Sequence, residues 1–132
     1  MRFSDRGAAA VEFGLVALVL FTLVFGILQF GFWFWSWQAA GHAAREAARV
    51  GAVDPCGTAS IQAAGAQALD GVPTGTGATV TATKAAGATV GDEITVNVTF
   101  ESIDLGFFPF FEASIDKSAT SRIENVPAGC AP

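Results

Sequence analysis

"FGLVALVLFTLVFGILQFGFWFWSW", residues 13–37, contains no charged side chain, and its aliphatic and aromatic groups are interrupted only by Thr22, Gln29 and Ser36. As a helix rising 1.5 Å per residue it would run roughly 37 Å, more than the roughly 30 Å of a bilayer's hydrocarbon core. The apolar core of a secretory signal peptide is usually about 7–15 residues. The run therefore predicts a retained transmembrane helix.

Trp33, Trp35 and Trp37, with Phe30, Phe32 and Phe34, gather at the C-terminal end of this run. Amphipathic rings prefer the headgroup layer, so that end marks a water interface. Arg2 and Arg6 flank one end of the run and Arg45 and Arg49 the other, which ties the arginine count. The α-amino group adds a positive charge in front, and Cys56 and Cys130 lie behind, where a disulfide needs an oxidising compartment. The N-terminus is expected on the cytoplasmic side and the remainder outside.

Residues 51–132 hold nine acids against Lys84, Lys117 and Arg122, a net of −6, whereas residues 1–50 carry a net of +1. Binding to phosphate backbones needs clustered Lys and Arg, so nucleic acid is not an expected partner.

The helical pattern continues past the tryptophans into "QAAGHAAREAARVG", to about Val50. Gln38, His42, Arg45 and Arg49 fall on one stripe, with Ala40, Ala44, Ala47 and Ala48 on the other side. Those small residues suit either the close approach of a sheet or helix, or a solvated alanine-rich stalk. "GAVDPCG" ends this helix. Thr58 or Ser60 is a candidate cap for a second, short helix reaching Leu69, with Ile61, Ala64, Ala68 and Leu69 on its apolar side. "GVPTGTG" lacks the lysine of a phosphate loop and reads as a flexible turn.

Beyond that turn, "ATVTATK" and "EITVNVTF" alternate with period two and form a hairpin about "AAGATVGD". "EASIDKSATSRIE" is a third strand, its apolar alternation of Ala113, Ile115, Ala119 and Ile123 interrupted by Lys117 and Ser121. Three strands with one apolar face need a helix to cover them. The expected fold class is α+β: residues 1–7 a leader, 8–50 a transmembrane helix and its continuation, and 51–132 a small head with a short second helix and about three antiparallel strands.

A head built mostly of Ala, Gly, Thr and Val buries little area per residue, so a staple is valuable. Joining Cys56 to Cys130 closes a loop of about 75 residues, worth at most roughly 4–5 kcal/mol in the chain-entropy model. Two free thiols are the alternative. Enzyme chemistry finds no constellation: His42 stands beside Arg45 and Glu46 with no second imidazole for a metal site or triad, and neither a cofactor nor a small-molecule substrate is implied. In "IDLGFFPFFE" the large groups Ile103, Leu105, Phe107, Phe108, Phe110 and Phe111 either fill the small core, the favoured reading, or form a patch touching the bilayer interface or another subunit.

One carboxylate, Glu12, stands at the mouth of the apolar run, behind "RGAAAV". A cut at the Gly7–Ala8 bond would give Ala8 a free ammonium, with Glu12 four residues on along the same helix face. Glu12 would then neutralise its own N-terminus or a neighbour's within the bilayer, where an unpaired charge is costly. An intact Glu12 would instead snorkel to water from the headgroup level.

The segments "RGAAAVEFGLV", "FGILQFG" and "QAAGHAAREAARVG" resemble the N-terminal signature of TadE-like minor pilins (pseudopilins) of the tight-adherence pilus, a branch of the type IV pilin class. The resemblance is dense over about residues 6–51, and "SATSRIE" is similar to the usual family ending. It implies cleavage after Gly7 by a prepilin peptidase, a mature N-terminus at Ala8, and a role for Glu12 in processing and assembly. It further implies a bacterial cytoplasmic-membrane location, partners among other pilin subunits and the secretion machinery, and a contribution to a surface pilus used in cell adhesion. The rival reading is an uncleaved single-pass anchor carrying an extracytoplasmic binding module.

Overall fold

The computed structural model describes residues 4–75, 77–108 and 113–130. The elements are α1 (Ser4–Val53), α2 (Thr58–Ala68), β1 (Thr79–Lys84), β2 (Glu93–Glu101) and β3 (Ser114–Arg122), the α+β layout expected from the sequence. The chain divides into two compact units, Met1–Gly31 and Phe32–Pro132.

In the first unit the described residues belong to α1 alone. Its large apolar groups, from Val11 and Phe13 to Leu28 and Phe30, are exposed. A helix that turns leucine, valine and phenylalanine outward on all sides suits lipid rather than water. Thr22 satisfies its hydroxyl locally, donating to the Leu18 carbonyl at 2.8 Å. Among the described residues, α1 is the helix long and apolar enough to cross a membrane.

The second unit is a layer of helices on one face of a sheet. The sheet has order β1-β2-β3, antiparallel throughout. Thr79 pairs with Thr99 and Lys84 with Ile94 in the first ladder. Glu93 pairs with Arg122 and Glu101 with Ser114 in the second. Period-two alternation fixes this register, since a slip by one residue would turn the whole apolar set to water. Val80, Ile94, Val96, Val98, Phe100 and Ile115 all point to the helix side and are buried.

The part of α1 from Phe32 to Val53 supplies the cover. Ala40, Ala43, Ala44 and Ala47 are fully buried, and Ala48 nearly so, in one core with Ile61 of α2 and Leu69 just after it. The alanine stripe is thus a packing face and not a solvated stalk. With methyl groups alone along the contact, the helix lies close against the sheet, and branched strand residues fill the remaining space. Alanine also has the best helix propensity, so the same residues that permit the approach favour the helix.

α1 runs to Val53, three residues past the expected end, and stops where Asp54 and Pro55 follow. Neither Thr58 nor Ser60 caps α2: both lie inside it, and the N-cap position is Gly57 without a side-chain cap. The turn is instead held by Asp54, whose Oδ1 accepts the Gly57 amide at 3.0 Å, and by Ser60, whose hydroxyl donates to the Gly57 carbonyl at 2.7 Å. α2 presses Gly65 onto β1, so closely that a Cβ there would stand 2.8 Å from Val80 Cγ2.

Within "GVPTGTG", Thr74 and Gly75 pair with the chain at the end of β2. Thr74 forms a bridge with Ser102, and the Gly75 amide donates to the Glu101 carbonyl at 2.8 Å. A Cβ on Gly75 would meet the Ser102 carbonyl oxygen at 2.8 Å, so glycine is required by the close backbone approach.

Candidate functional site

The residues singled out at the N-terminus all lie on α1. Gly7, Ala8 and Glu12 are exposed, and the Gly7–Ala8 bond is inside the helix rather than in an extended leader. Ala8 and Glu12 are one turn apart on the same face. Nothing stands within 4 Å of where a Gly7 Cβ would be. Gly14 and Gly31 are equally open, each a point at which another helix could approach closely.

Within the second unit, the end of α1 bearing the tryptophans is tied to the head through Ser36 and Trp37. Ser36, fully buried, donates from its hydroxyl to the Pro73 carbonyl at 3.4 Å. Lys117, on the helix-facing side of β3, places its ammonium 3.4 Å from the ring centroid of Trp37. This explains how a lysine fits an otherwise apolar strand face: its stem runs along the core edge and its charge sits on an aromatic ring. Sequence reading registered Lys117 only as an interruption. Nothing in one sequence pairs it with Trp37, 80 residues earlier in the numbering.

The other end of α1 is closed by the C-terminal segment. The Glu124 and Asn125 amides donate to the Ala52 carbonyl at 2.8 and 3.3 Å, and Asn125 Nδ2 donates to the Val53 carbonyl at 3.1 Å. The last carbonyls of a helix have no partner within it, and here the tail supplies them. Cys130 is joined to Cys56 across 74 residues of sequence, with Cα atoms 5.5 Å apart. The disulfide expected between these two residues is formed.

The sheet face away from the helices carries Thr81, Thr83, Thr95, Asn97, Thr99, Asp116, Ser118 and Thr120. Thr95 and Thr120 share a hydroxyl hydrogen bond of 2.9 Å, and Asn97 Nδ2 donates to Asp116 Oδ1 at 2.9 Å. These cross-strand pairs knit the face together. At the β1–β2 turn, Asp92 accepts the Thr89 amide at 2.7 Å and the Thr89 hydroxyl at 3.1 Å. The two bonds, the amide's first, hold the Asp92 carboxyl below its ordinary value.

The phenylalanine loop does not join the core where it is described. Ile103 and Phe108 are half-buried, while Leu105 is 38% and Phe107 52% exposed. The core reading therefore fails for Leu105 and Phe107, because the alanine face of α1 and the branched strand residues already fill the interior. Phe110 and Phe111 lie outside the described residues.

What remains is an exposed apolar helix with a carboxylate near its start and an aromatic end, and a disulfide-closed head. Residues 7–49 match the family model of TadE-like proteins. The match bears out the resemblance and covers about a third of the chain. The TadE-like segment contains Gly7, Ala8, Glu12, the apolar run and the alanine stripe, and stops just short of the end of α1. No curated protein and no solved structure matches the chain.

Proposed function

We propose that this protein is a minor pilin-like subunit that contributes to assembly of a tight-adherence surface pilus. The observation that carries the reading is the TadE-like match over residues 7–49, a segment that contains Gly7, Ala8, Glu12 and the apolar run of α1. A prepilin peptidase cuts after Gly7, and the new ammonium of Ala8 is neutralised by Glu12 of its own or a neighbouring subunit. The lipid-facing helix packs against other pilin subunits, with Gly14 and Gly31 open for close contact. The N-terminus is cytoplasmic and the acidic head extracytoplasmic, a placement supported by the Cys56–Cys130 disulfide. The head performs no catalysis and takes no cofactor.

A second reading is an uncleaved anchor displaying the head as a binding module, favoured by the continuation of α1 through the Gly7–Ala8 bond. Intact mass of the membrane-extracted protein decides between them. Loss of residues 1–7 is the expected result, and full-length chain from cells with an active peptidase overturns the pilin reading.

A further inference from the structure

The sheet of the head ends in two open edges: among the described residues no strand lies beyond β1 or beyond β3. β3 pairs with β2 over nine residues and β1 pairs with it over six, in both cases without a bulge. Neither edge strand contains proline, so the backbone does nothing to blunt these edges against further pairing. β1 and β3 are each antiparallel to β2 and therefore run parallel to each other. A second copy that sets its β1 beside β3 thus keeps its helices on the same face of the sheet. The Phe32–Val53 parts of α1 also run the same way, so both chains enter their heads from one side.

The residues along the two edges match. Through their common partners on β2, Thr81 stands level with Ser118, Ala82 with Ala119, Thr83 with Thr120 and Lys84 with Ser121. A neighbour docked at the same level continues each row, bringing hydroxyl against hydroxyl on the outer face and methyl against methyl on the helix side. Threonines placed side by side already share a 2.9 Å hydroxyl bond within this chain, at Thr95 and Thr120. In that register Lys84 of the second copy comes level with Ser121, on the helix side. There the chain holds a groove of about 680 Å³ whose walls include Val50, Val53, Asp54, Ser121 and Glu124. Its aliphatic part suits a lysine stem and its two carboxylates suit the ammonium. Neither Lys84 nor Glu124 has an ion pair within the chain among the described residues. The helix layer raises no charge barrier, since α2, packed on β1, has no charged side chain and exposes Ala59, Gln62, Ala63 and Ala66.

We infer that the β3 edge is a docking surface for the β1 edge of a second copy of this chain, with the sheets joined in parallel and Lys84 of one copy seated beside Glu124 of the other. Parallel ladders are slightly weaker per residue than antiparallel ones, and the charge pair adds to this one. The contact is head-to-tail: each copy uses a different edge on either side, so the row has no built-in end. It lies in the head alone and does not depend on a cut after Gly7, so the two readings stand or fall separately.

The test is cross-linking between two full-length chains of different tags, one Thr83→Cys and one Thr120→Cys, under non-reducing conditions that leave the Cys56–Cys130 bond closed. They are mixed in vesicles of phosphatidylethanolamine and phosphatidylglycerol and treated with a short bis-maleimide. The product joining 83 to 120 is expected to exceed those joining 83 to 83 or 120 to 120 several-fold, and a chain carrying both cysteines is expected to give a ladder of species beyond the dimer. Lys84→Glu on the Thr83→Cys chain should cut the yield several-fold, and Glu124→Lys on the Thr120→Cys chain should recover it. A dominant 120-to-120 product means antiparallel β3 edges and overturns the inference, as do equal yields of all three products. Absence of any cross-link leaves the edge to a different protein and also overturns it. A yield that ignores the charge reversal, or a loss that Glu124→Lys does not recover, overturns the seating of Lys84 beside Glu124.

Discussion

Lys117 and Trp37 hold β3 to α1 through a charge placed 3.4 Å from an aromatic ring centroid. Replacing Lys117 with alanine is expected to lower head stability by about 1 kcal/mol, with arginine retaining most of the contact. Chemical unfolding of the detergent-solubilised chain, followed through tryptophan fluorescence, measures it. An alanine variant as stable as the parent would leave the contact without energetic consequence.

The alanine face of α1 admits no larger group. Ala44→Leu introduces extra carbons where the parent side chain is fully buried, at an expected cost of about 1–3 kcal/mol. Its unfolding midpoint should fall, whereas Gln38→Leu, on the exposed stripe, should leave the midpoint near the parent value.

Opening the Cys56–Cys130 bond by the double serine variant is expected to cost about 2–4 kcal/mol. The Glu124 and Asn125 amides, which close the end of α1, should be the first to lose protection in hydrogen exchange. Uniform loss of protection across the sheet would argue instead that the bridge supports the whole head and not its tail.

The β1–β2 turn should weaken in acid. Asp92 has its carboxyl lowered below 3.8 by the Thr89 amide and hydroxyl, so its contribution is present above the unfolded value and lost as pH falls through the lower folded value. Asp92→Asn should show a smaller loss of Thr89 amide protection over that acidic window than the parent. Equal losses would mean that other groups govern the turn.

For Glu12, substitution by alanine is expected to leave membrane insertion intact and to reduce pilus assembly. Electron microscopy of surface filaments, with the variant as sole copy, is the measurement. Unchanged filaments would remove the proposed pairing with Ala8.

Several of these features were legible in the residues alone. The buried face of β2 followed from the alternation in "EITVNVTF", because burial of Ile94, Val96, Val98 and Phe100 leaves no second choice of face. The cysteine pairing followed from there being two, both beyond the apolar run. Other contacts were not, because their partners are far apart in sequence and chemically unspecific: Lys117 on Trp37, Asn125 on the end of α1. Capping of α2 was misassigned to Thr58 or Ser60 because a hydroxyl near a helix start is a frequent signal. Here the Asp54 carboxylate had already ordered the turn. The phenylalanine loop misled for a related reason: side-chain size argues for shelter but does not say whether protein or lipid provides it.

The sulfur bridge also dictates how the head would bear a pull. Tension entering through α1 and leaving beyond Cys130 passes from one cysteine directly to the other, and the chain between them, 74 positions from Cys56 to Cys130, hangs slack. A head wired in this way would keep its sheet folded under mechanical load, since the covalent shortcut, not the hydrogen-bonded ladder, carries the strain.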